Sequence, residues 1–94
     1  MFSDGDLTVE LAQQVENGHT VFVAYPYNDQ KPQPPDSIGL TLNVMGDSAS
    51  YKAEFHGRKS ALVAELPLVL VHIRELAMEA EHGNHRHHWQ YEYQ

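Results

Sequence analysis

An α+β fold is what this sequence predicts, and three observations predict it. Residues 38–55 alternate apolar and polar on both sides of Gly46-Asp47, the mark of an antiparallel hairpin. Residues 60–82 place Leu62, Leu66, Val69, Ile73, Leu76, Ala77 and Ala80 on one stripe at helical spacing. Residues 7–17 repeat Leu7, Leu11 and Val15 at i, i+4 and i+8. The expected architecture is a three-stranded antiparallel sheet with two helices packed on one face, in the order αβββα, with a C-terminal segment able to add a strand.

The first helix is expected over 7–17, capped by Asp4 or Asp6 and closed by Gly18. A rival pattern overlaps it: Leu7, Val9 and Leu11 also alternate, and Asn17-Gly18 is a strong hairpin turn. The Ala12-Gln13-Gln14 stretch tips the balance to helix by propensity. Residues 20–27 read as a strand with apolar residues on both faces: Val21, Val23 and Tyr25 on one, Phe22 and Ala24 on the other. Residues 28–37 carry three prolines and read as a stiff connector, although Pro32-Gln33-Pro34-Pro35 has PxxP spacing.

In the next strand Ile38, Leu40, Leu42 and Val44 share a face. In its partner over 49–55, Ala49, Tyr51, Ala53 and Phe55 face in, while Ser50, Lys52, Glu54 and His56 face out. The second helix over 60–82 starts at Ser60, ends at Gly83 and contains Pro67, which predicts a kink. Leu68, Leu70 and Val71 lie off its stripe, making 61–73 apolar nearly all round. That surface is the expected interface of a homodimer. Trp89, Tyr91 and Tyr93 recur at period two, so they share one side of an extended segment and join the candidate interface. The domain is expected to span 1–84, with 85–94 a histidine- and aromatic-rich arm.

The chain has 94 residues, 13 acidic against 6 basic, and a net charge of −7. This balance argues against phosphate-driven nucleic-acid binding and against anionic membranes. With no cysteine, neither disulfides nor thiolate metal sites form. No apolar run is long enough to span a bilayer, and the acidic start lacks the pattern of a signal peptide. A cytoplasmic location is expected.

His82, His85, His87 and His88 are the candidate metal ligands, because neutral imidazole binds divalent transition metals. His19, His56 and His72 are scattered. No GxSxG, HExxH, P-loop or GxGxxG spacing occurs, so catalysis and other cofactors are not expected.

The αβββα order resembles the double-stranded-RNA-binding domain, and Gly57-Arg58-Lys59-Ser60-Ala61 is similar to the lysine-rich motif that opens that family's second helix. The sequence departs where Leu62, Val63 and Ala64 replace the basic residues that should follow, and where the 28–37 loop lacks the family's histidine. The same order also resembles small acidic phage inhibitors of CRISPR nucleases. The expected function is a small acidic, non-catalytic protein-interaction or regulatory domain, homodimeric, of the kind found among accessory or mobile-element proteins. Its partners are a second copy or another protein. The alternatives are a metal-binding protein that uses the C-terminal histidines and a double-stranded-RNA-binding-like domain.

Overall fold

Period-two alternation carries the whole architecture. The computed structural model describes residues 2–4, 7–34, 37–46, 49–59, 61–67, 73–83 and 85–92. These form ten strands: β1 (Phe2–Asp4), β2 (Leu7–Glu16), β3 (His19–Asn28), β4 (Lys31–Pro32), β5 (Ile38–Met45), β6 (Ser50–Glu54), β7 (His56–Arg58), β8 (Ala61–Leu66), β9 (Glu75–His82) and β10 (His85–Glu92). Among the described residues there is no α-helix, and therefore no helix long and apolar enough to cross a membrane.

The strands make two antiparallel sheets. One runs β1-β2-β3-β8-β7, with short β4 beside β3; the other runs β10-β9-β5-β6. Their inner faces merge in one core. Leu7, Val9, Phe22, Ala24, Leu62, Ala64 and Leu66 from the first sheet meet Ile38, Leu40, Leu42, Val44, Ala53, Leu76, Met78 and Ala80 from the second. This is a sandwich, the arrangement in which two one-sided sheets bury each other's apolar face.

The α+β expectation is thus overturned. Residues 7–16 are a strand, and Asn17 (φ 52°) with Gly18 (φ 77°) forms the two-residue turn that pairs Glu16 with His19. Both turn positions need positive φ, which Asn and Gly supply at least cost. The rival hairpin pattern was the physical signal. Among the described residues the 60–82 helix is absent as well. Its first part is β8, hydrogen-bonded between β3 and β7, and its last part is β9, between β5 and β10. Pro67 follows β8 directly and marks the end of that strand, in place of the expected helix kink. Without helices, the layout shared with double-stranded-RNA-binding domains and with the phage inhibitors is gone. Gly57 and Arg58 lie on β7, Lys59 in a turn and Ala61 on β8, rather than at a helix start.

The one-sided alternation of β5 and β6 stands, with Met45 opposite Ser50 and Gly46 N–H donating to Ala49 at 2.9 Å. What covers this sheet is the other sheet. The segment over 20–27 belongs to that covering sheet, as β3, and not to the sheet of β5 and β6. Its two-sided apolarity has a matching cause. Phe22 and Ala24 enter the main core, while Val21 and Val23 join Ala61 and Val63 in a second buried cluster on the outer face. His56, expected beside Glu54 on one strand, sits across a break at Phe55, on β7 opposite Val63.

Candidate interaction edge

The β9–β10 hairpin holds the residues that the sequence singled out. Gly83 (φ 64°) opens its two-residue turn, and His82 lies directly opposite His85. From there the register runs Arg86 with Glu81, His87 with Ala80, His88 with Glu79, Trp89 with Met78, Gln90 with Ala77, Tyr91 with Leu76 and Glu92 with Glu75. Residues facing each other across a ladder share a face. His82, His85, His87, Trp89 and Tyr91 are therefore on the core-facing side, and Arg86, His88, Gln90 and Glu92 on the outer side.

The core-facing row is half-buried at His87 and Trp89 and exposed at its two ends, His85 and Tyr91. Trp89 packs against the main core. His87 stacks on it, with ring centroids 5.7 Å apart and planes 10° apart, and His85 follows at 6.5 Å from His87. Tyr91, at the other end, is 54% exposed. Large amphipathic rings at a sheet margin are the groups that dominate protein contacts.

The outer row is a polar ladder. Arg86 Nη2 meets Glu81 Oε1 at 2.9 Å, His88 Nδ1 meets Glu79 Oε1 at 3.7 Å, and Gln90 Nε2 donates to Glu75 Oε1 at 3.0 Å. Such exposed pairs each add little to stability, about 0–1 kcal/mol. Their effect is to fix side-chain position. Glu92 stands directly opposite another carboxylate, Glu75, which is an unfavourable cross-strand pair.

Among the described residues β10 is the last strand of its sheet. The two-residue turn makes His82 and His85 a hydrogen-bonded pair, so the odd-numbered residues of β10 bond to β9. The backbone N–H and C=O groups of Arg86, His88, Gln90 and Glu92 consequently point away from the sheet.

Of the candidate metal ligands, the structure brings His82, His85 and His87 to one face and leaves His88 on the other. Among the described residues no three histidine or acidic side chains converge as a metal group. Leu68, Leu70, Val71 and Tyr93 of the candidate interface lie outside the described residues. The described residues on either side of the first three, 61–66 and 75–82, are strands. Sequence reasoning sets Glu92 on the side opposite Trp89 but misses Arg86; parity relative to Trp89 is the signal, and it has meaning only on a strand. At the far end of the first sheet His19 Nδ1 contacts Glu65 Oε1, and both groups are largely exposed. Comparison with protein-family models, curated proteins and solved structures finds no match for this chain.

Proposed function

We propose that this chain is a non-catalytic protein-interaction module that docks its partner along β10. The observation that carries this reading is the row His85, His87, Trp89 and Tyr91, half-buried in its middle and exposed at both ends, along a strand whose outer edge is unpaired among the described residues. Edge backbone groups supply affinity and alternate side chains supply specificity when an extended segment adds to a sheet. Its net charge of −7 disfavours nucleic acid and anionic membrane as the partner and favours a polypeptide. The absence of cysteine suits a reducing compartment such as the cytoplasm, and a regulatory or accessory role fits a small binding domain.

A photo-crosslinking phenylalanine analogue in place of Tyr91, in the full chain expressed in its host, tests the reading. Crosslinks to a polypeptide are expected from position 91 and not from the same analogue at Lys52, on the far strand β6. Equal yields at the two positions, or none at 91, refute it.

A second reading rests on a separate observation. His82 and His85 are directly opposed across the turn on one face, a pairing that two imidazoles use to share a divalent transition ion. Titration with zinc or nickel then loses its tightest phase in His82→Gln and keeps it in His88→Gln. Equal effects of the two substitutions would mean that the histidines bind metal without regard to the fold.

A further inference from the structure

The unpaired edge of β10 has a pattern that matches itself, and we infer that its occupant is β10 of a second copy, antiparallel, with Trp89 facing Trp89 on a two-fold axis. This inference rests on the interaction reading above. The argument begins with parity. Only Arg86, His88, Gln90 and Glu92 offer outward backbone groups, so a partner strand must bond to these positions. For a second β10 run antiparallel, centring on Trp89 sets Arg86 against Glu92, His88 against Gln90, and the same pairs again by symmetry. Each pair exchanges two backbone hydrogen bonds, about eight in all.

Charge selects this register among those that parity allows. β10 holds a single arginine and a single carboxylate, at positions 86 and 92. They lie at equal distances from Trp89 and on the same outer face. The Trp89-centred register places each arginine on the partner's glutamate twice over. Shifting the centre by one residue toward the turn sets Arg86 against Gln90 and removes both ion pairs.

The isolated hairpin also carries the complementary defect. Glu92 faces the carboxylate of Glu75 in its own ladder, whereas Arg86 is 85% exposed while bound to Glu81. In the dimer the outer row would read Glu81, Arg86, then the partner subunit's Glu92, so the arginine lies between two carboxylates and the Glu92–Glu75 repulsion is relieved. On the core-facing side Trp89 meets its symmetry mate, and His87 meets the second copy's Tyr91, covering the ring that is 54% exposed. A C2 interface requires this kind of self-complementarity, the same residues serving both sides.

The test uses the full chain and two charge reversals. Arg86→Glu leaves both positions acidic, and Glu92→Arg leaves both basic. By sedimentation velocity at about 20 µM, well above a micromolar dissociation constant, the wild type should be mainly a dimer, and each variant alone, with that constant raised about a hundredfold or more, mainly a monomer. Mixing the two variants places glutamate on arginine at both ends and should restore a dimer. His88→Pro removes one outward N–H without touching a bond to β9, and should also give a folded monomer. A monomeric wild type, a variant that dimerises alone, or a mixture that stays monomeric overturns the inference. A monomer whose position 91 still crosslinks to a different polypeptide would leave the interaction reading standing and this one refuted.

Discussion

Met78→Ala separates the sandwich from the helical arrangement that the sequence favours. On β9 Met78 is 0% exposed and lies between Leu42 of β5 and Trp89 of β10 in the ladder. On the helical stripe through Leu76, Ala77 and Ala80 it would instead fall to one side and face water. Truncation to alanine removes three heavy atoms, worth about 2.4 kcal/mol in transfer alone at ~0.8 kcal/mol for each methylene-sized group. The space left between the two sheets adds to this, and buried Met→Ala changes run about 2–5 kcal/mol. A value near 3 kcal/mol is a large share of the roughly 5–14 kcal/mol expected for a domain of this length. It corresponds to a fall in Tm of about 12–24 °C. Urea melts followed by Trp89 fluorescence and by far-UV circular dichroism give the number directly, with an unchanged m-value showing that the folded state is equally compact. Glu79→Ala, one residue along and facing outward, is the control, and its effect should stay within about 0.5 kcal/mol. If Met78→Ala is as mild as Glu79→Ala, Met78 does not lie between two sheets and the register of β9 is wrong.

Three further outcomes are expected. Lys59 sits at φ 58° in the β7–β8 turn, so Lys59→Gly should raise stability by about 0.5–1 kcal/mol, the left-handed cost less the entropy glycine adds to the unfolded chain; a lower Tm would refute the turn. Deleting 85–94 removes Trp89 from the core and leaves β9 as an edge, so Tm should drop sharply, whereas an unchanged Tm, with Trp89 of the intact chain emitting as if in water, would show that β10 does not dock. Solubility should pass through a minimum near the sequence pI of about 5.3, where net repulsion vanishes, and a flat profile from pH 7 to pH 5 would contradict that.

How much of this was legible depends on what each segment's periodicity could distinguish. β5 and β6 are polar on one face, so only a strand fits them. β10 was legible for the same reason, through Trp89 and Tyr91. The 7–17 segment was ambiguous because a spacing of four satisfies both a period of two and a period near 3.6. Leu7, Leu11 and Val15 thus fit either element, and helix-forming Ala12-Gln13-Gln14 decided wrongly. Val15, 56% exposed near the end of β2, contributes little burial to either pattern. Ala61, Leu62, Val63 and Ala64 are buried on both faces of β8, and a strand covered on both sides has no polar alternation to betray it. Residues 75–82 are rich in Glu, Ala, Leu and Met, all strong helix formers, and pairing with β5 and β10 overrides that preference. For the edge site, the residue types could be read from the sequence. Their division between two faces could not, since it requires knowing that the chain is extended.

The chain visits its two sheets alternately: β1 to β4 in one, β5 and β6 in the other, β7 and β8 back in the first, β9 and β10 again in the second. The hairpins are local and close quickly, but the pairings that join them, Phe22 with Ala64 and Leu42 with Met78, span about forty residues each and carry a large loop-closure cost before they give any return. Neither long-range pairing can form early without leaving the other half of the chain dangling as unpaired strand. Folding should therefore be slow for a chain of this size, in the millisecond-to-second range, and limited by one concerted step in which β8 finds β3 while β9 finds β5. Until that step is complete, the inner strands β3, β8, β5 and β9 expose edges that the finished sheets close, and the edge that β10 presents is one of those that stay open.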